Sequence, residues 1–72
     1  MKKIVLKTPF ITLGQLLKIT DVISSGGQAK WYLSQHDIYV NDELDIRRGR
    51  KLYPNDKVKF PDGTLYLMKA SK

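Results

Sequence analysis

The spacing of apolar residues changes once along the body of this chain, and that change sets the fold class. Between Thr12 and His36 they recur at three and four; from Asp37 onward they alternate. A period near 3.6 marks a helix with one buried stripe, and a period of two marks a half-buried strand. Helices gathered in one stretch and strands in another give an α+β domain. The expected fold is two short helices packed on a small, mostly antiparallel twisted sheet.

The helix starts can be read residue by residue. In "ITLGQLLK", Thr12 is placed to cap, with Gln15 three residues on to reach back, which makes a capping box. Ile11 before the cap can pack on Leu16, and Leu13, Leu16 and Leu17 form the apolar stripe. This helix should end by about Thr20. "SSGGQAKWYLSQH" repeats the device with Ser25 and Gln28, and Ala29, Tyr32, Leu33 and His36 fall on one face. A second helix is therefore expected from about Gly26 to Gln35. Gly26 and Gly27 are poor helix formers, but they leave the backbone amides there approachable.

The strands come before and after. Residues 2–7 read as a strand that ends at Thr8-Pro9, because proline donates no ladder hydrogen bond. "DIYV", "ND" and "ELDI" read as a hairpin, in which Asn41 suits a positive φ and Asp42 does so less well than glycine would. Gly49 should bend the run "RRGRKL", and "YPND" is a turn with Pro54 in second place. "KVKF" alternates, Val58 and Phe60 inward and Lys57 and Lys59 outward, before "PDG" turns the chain into "TLYLMK".

At 72 residues without cysteine, the chain is expected to be one domain, 1–72, with no disulfide and no thiolate site. A lone His36 makes no metal cluster, and no cofactor is expected. There is no serine–histidine–acid order and no phosphate loop, so neither an enzyme nor a small-molecule substrate is expected. The C-terminal "MKASK" lacks the diglycine of a sulfur carrier. The apolar stretch Ile4-Val5-Leu6 stops at Lys7, short of the ~7–15 residues of a signal core, and nothing approaches the ~20 of a membrane span. A soluble, cytoplasmic protein is expected.

The charge points to a partner class. The net charge is +6, which favours an anionic partner, nucleic acid before a membrane surface. It is also segregated. Residues 21–45 hold five acids (Asp21, Asp37, Asp42, Glu43, Asp45) and one base, Lys30. Residues 46–59 hold six bases (Arg47, Arg48, Arg50, Lys51, Lys57, Lys59) and one acid, Asp56.

Taken in order, "LGQLLK", "SSGGQAK", "VNDE", "RRGRKL" and "PNDKVKF" resemble the S4-like RNA-binding domain, most nearly its small stand-alone bacterial members of the YaaA type. The resemblance covers about residues 8–60. It implies an L-shaped motif, the αL motif, of a helix pair and a hairpin. It also implies binding of structured RNA, ribosomal or transfer RNA, through the start of the second helix and the nearby basic loop. The chain differs from the common pattern in carrying Asp42 and Asn55 where glycine is usual. Near the start of the second helix it has Gln28 and Lys30 where an arginine is frequent.

Each candidate has a bland reading beside the functional one. Arg47, Arg48, Arg50 and Lys51 are either a solvated charge run or phosphate ligands, since guanidinium forks suit phosphate oxygens. Gly26, Gly27, Gln28 and Lys30 sit where helix amides and dipole favour an anion. Against that, Gln28 can simply close a capping box, and the glycines can pack against the first helix. Lys18 either complements a helix C-terminus or meets RNA. Lys57, with Lys59, either extends the patch or keeps the sheet soluble. Asn41 is read as a turn residue, Trp31 and Tyr53 as the more exposed aromatics, and His36 as the end of an apolar face. The sequence reading is a non-catalytic RNA-binding module; the alternative is a protein-interaction adaptor in a replication or translation assembly, and a membrane-surface binder is the weakest. The first reading requires that the basic run lie beside the glycine-rich helix start.

Overall fold

A computed structural model describes residues 1–71. The chain runs β1 (Lys2–Leu6), β2 (Ile11–Thr12), α1 (Leu13–Ile19), α2 (Gly27–Gln35), β3 (Tyr39–Val40), β4 (Glu43–Leu44), β5 (Lys51–Leu52), β6 (Lys57–Lys59) and β7 (Leu65–Ala70). Five strands form one sheet in the order β1-β7-β6-β3-β4, and β2 pairs with β5 in a separate two-stranded ladder. β1 lies parallel to β7 and every other pairing is antiparallel, as expected of a mostly antiparallel sheet.

The helices cover one face of the sheet. Leu13, Leu16 and Leu17 of α1 and Ala29 and Leu33 of α2 join Leu6, Ile38, Val40, Leu52, Val58, Phe60 and Met68 in one core, with Ile11 packed at its edge. Each fully buried side chain of leucine or valine size contributes about 1.5–3 kcal/mol, so this cluster carries the fold. The turns follow the residue chemistry. Asn41 and Asp42 both have positive φ (52° and 71°), the paired left-handed conformation of a tight hairpin turn. Asn55 (φ 78°) closes the turn after Pro54, and the Asp56 amide donates to the Tyr53 carbonyl at 3.0 Å.

Two expectations need correction. His36 does not end a buried face: it is exposed, caps the C-terminus of α2 and stacks on Tyr32 with ring centroids 4.4 Å apart. The Ser25 hydroxyl does not cap α2 either. The helix begins one residue later, with Gly26 at the cap position and no side-chain cap bond. The Ser25 carbonyl accepts from the Gln28 amide at 3.1 Å instead. Gln28 does reach back as expected: its Oε1 accepts from the amides of Ser24 (2.7 Å) and Ser25 (3.3 Å) and from the Ser24 hydroxyl (2.9 Å).

Candidate functional site

The basic run is built onto the start of α1. Thr12 and Gln15 form the expected capping box: the Gln15 amide donates to Thr12 Oγ1 at 3.2 Å and the Thr12 amide to Gln15 Oε1 at 2.7 Å. The β2–β5 ladder then carries the run alongside the helix. The Leu13 amide donates to the Arg50 carbonyl and the Gly14 amide to the Arg48 carbonyl, each at 2.8 Å. These carbonyls satisfy amides that a helix start otherwise leaves orphaned. Gly14 makes the approach possible, because a Cβ there would stand 3.3 Å from the Arg48 carbonyl oxygen and 3.6 Å from the Ala29 Cβ. With its carbonyl turned toward α1, Arg48 joins an open groove of about 440 Å³ lined also by Thr12, Gly14, Gln15, Lys18, Gly26, Ala29 and Gly49. The fold thus brings the run beside the glycine-rich start of α2.

Asp45 fixes the shape of the run. Its carboxylate is only 5% exposed, the one buried charged side chain among the described residues. Oδ1 accepts from the Arg47 amide (2.9 Å) and Nε (3.1 Å), and Oδ2 accepts from Arg47 Nη2 (2.9 Å) and Arg50 Nη1 (2.8 Å). These bonds, led by the Arg47 side chain, hold the carboxyl well below the usual carboxylate range, against the opposing effect of burial. The Arg50 amide donates to the Arg47 carbonyl at 3.1 Å, closing the turn around Gly49.

The three arginines therefore differ. Arg50 is largely occupied by Asp45 and only 26% exposed. Arg47 is paired to Asp45 as well, yet its side chain stays 70% exposed. Arg48 is exposed and has no carboxylate partner among the described residues. Lys51 lies over the Phe10 ring at 5.0 Å and, with Arg47, Gly49, Arg50 and Tyr53, lines a depression next to the groove.

The start of α2 presents the other wall. The amides of Gly26 and Gly27 donate to no acceptor in the protein among the described residues. A Cβ at either glycine would meet nothing within 4 Å, so tight packing is not why glycine stands there. Of the other candidates, Gln28 is engaged with Ser24 and Ser25. Lys30 is exposed on α2 outside the groove lining. Lys57 lies elsewhere: it lines a separate depression with Met1, Asn41, Asp42, Asn55, Lys59 and Leu65. Trp31 and Tyr53 are exposed, as expected. The sequence reading missed two residues, Gly14, which admits the loop, and Asp45, which counted only as one acid among several.

The sequence matches the family described as S4 domain over residues 4–68. It is 64% identical over 53 residues to the probable ribosome maturation protein RlbA of Bacillus subtilis (strain 168), an alignment covering 74% of this chain and 75% of that protein. No helix among the described residues is long and apolar enough to cross a membrane.

Proposed function

The chain belongs to the S4 domain family, and from that premise we propose that it is a non-catalytic RNA-binding module of the cytoplasm that grips structured RNA in its groove. One observation carries the reading. Two cations from distant parts of the chain, Lys18 and Arg48, line the same groove as the open start of α2. Lysine supplies a point charge, arginine a planar fork, and the helix start a dipole with free amides; together they suit phosphate oxygens. Lys51 and Arg47 extend the positive surface from the adjoining depression. Recognition through such groups is by backbone and shape. The likeness to a probable ribosome maturation protein makes ribosomal RNA, met during subunit assembly, the leading target.

The test is binding of ribosomal RNA fragments across a salt series. Replacing both Lys18 and Arg48 with alanine should weaken binding about tenfold or more and lower the salt slope by about two. Both side chains are exposed and make no ion pair among the described residues, so the fold should be kept. Wild-type binding by this variant would show the groove assignment to be wrong. Partners that survive ribonuclease treatment of a lysate and depend on the same two residues would favour a protein adaptor instead.

A further inference from the structure

The sheet has a second face, turned away from the helices, and its charge has no role in the groove. Strand register puts Lys3, Lys57, Lys59 and Lys69 on it together: Lys3 and Lys57 both pair with Leu67, and Val5 pairs with Lys69. Their neighbours Ile4, Val58 and Met68 point the other way into the core, as alternation along a strand demands. All four lysines are exposed, and none has a carboxylate partner among the described residues. Lys57 and Lys59 stand about 7 Å apart along one strand, and Lys3 lies about 10 Å from Lys57 across two strand spacings. Val5, Tyr39, Leu44 and Leu65 are exposed between and beside them.

Solvation of an open sheet face takes polar residues of either sign, yet the charged residues on β1, β6 and β7 are all lysine. Lysine blunts the edges of sheets, yet β6 and β7, which carry three of the four, are interior strands with neighbours on both sides. A protein partner fits less well than a nucleic acid, because lysine is depleted from protein interfaces. Here the lysines break the apolar surface into single side chains. Asp42 at the hairpin tip lines the depression beside Lys57 and Lys59, but the strands themselves present only cations here. Such spread cations match a phosphate backbone, and an exposed tyrosine among them offers a ring on which an unpaired base can stack.

We infer that the open face of the five-stranded sheet is a second RNA-binding surface, which takes the backbone of an RNA segment other than the one held in the groove. It goes beyond the groove and uses none of its residues. The protein would then stand between two RNA segments.

Amide chemical-shift mapping on the full chain, titrated with a short RNA duplex carrying a single-stranded overhang, tests this directly. The expected result is that amides of β6, β7 and β1 shift in wild type and continue to shift in the Lys18→Ala/Arg48→Ala variant. A Lys57→Gln/Lys59→Gln/Lys69→Gln variant should lose those shifts, keep the groove shifts and show a salt slope lower by about two to three. Shifts confined to the groove in wild type would overturn the second surface and leave the groove reading intact. Shifts confined to the sheet would do the reverse. If poly-glutamate moves the sheet amides and RNA does not, the face belongs to an acidic protein and the inference is wrong.

Discussion

The two helices of this domain begin in opposite ways. At the start of α1 every early amide is occupied: Leu13 and Gly14 donate to the carbonyls of Arg50 and Arg48, and Gln15 to the Thr12 hydroxyl. At the start of α2 the amides of Gly26 and Gly27 have no acceptor in the protein among the described residues, and no side chain caps the helix. Glycine occurs at both places for different reasons. Gly14 is glycine because the Arg48 backbone crosses it at close range, whereas Gly26 and Gly27 face open space. A small domain with little stability in reserve completes one helix end and leaves the other unfinished. The loop from Arg47 to Lys51 links them: it finishes α1 with its carbonyls and turns Arg48 into the groove beside α2. One end serves the fold, and the other is the end we propose for a ligand.

The largest break in that contrast should come from Asp45, which holds the linking loop. Replacing Asp45 with alanine strips Arg47 and Arg50 of their shared acceptor and should cost about 3 kcal/mol in chemical unfolding. RNA binding should fall as well, although the change adds net positive charge. A rise in affinity would mean that the loop needs no anchor and that charge alone governs binding. The same carboxylate gives a pH signature. Its pKa is depressed in the folded state, so the stability it confers is complete above the ordinary carboxylate range and drains away as pH falls below it. Acid unfolding of the Asp45→Ala protein should lack that part of the pH dependence.

Next in size is Gly14. A valine there would press against the Arg48 carbonyl and Ala29, and overpacking of this kind costs about 1–3 kcal/mol. The loop should be pushed off α1, so groove binding should drop with stability. Unchanged melting and binding would mean that the close approach is incidental.

Thr12→Ala sharpens the comparison from the same side. It removes the hydroxyl that caps α1 and should cost about 1 kcal/mol in thermal or denaturant unfolding. Thr12 also lines the groove, but it offers no charge, so RNA affinity should change by less than about threefold.

How much of this could be read in the sequence depended on distance along the chain. The capping box at α1 was legible because Thr12 and Gln15 are three apart and the pattern is local. The start of α2 was legible by half, since Gln28 reaches back while Ser25 uses its carbonyl rather than its hydroxyl. Asp45 was not legible. In "LDI" alternation puts leucine and isoleucine inside, yet Leu44 and Ile46 are exposed and the aspartate is buried. The inversion is driven by donors from Arg47 and Arg50, which arrive only once the loop has turned. The outward face of Lys57 and Lys59 was legible in the alternation of "KVKF", but whether that face joins the basic run was not, and Lys57 lines a depression separate from the groove. The turn at Asn55 carries Lys57 onto β6 and the outer face of the sheet.

The smallest effect separates fold from function most cleanly. Gly26 has φ −60° and ψ −30°, a conformation open to any L residue, and an added Cβ would meet nothing within 4 Å. Alanine there restricts the unfolded chain without straining the folded one and should raise stability by about 0.5 kcal/mol. Its methyl would enter the groove, however, and hold a phosphate away from the bare amides of α2. Stability and RNA affinity should then move in opposite directions, which no purely structural glycine allows. If both fall, Gly26 belongs to the fold as Gly14 does, and the contrast between the two helix starts collapses. If stability rises and affinity holds, the open start of α2 is not where RNA lies. The groove would then have to work through Lys18 and Arg48 alone.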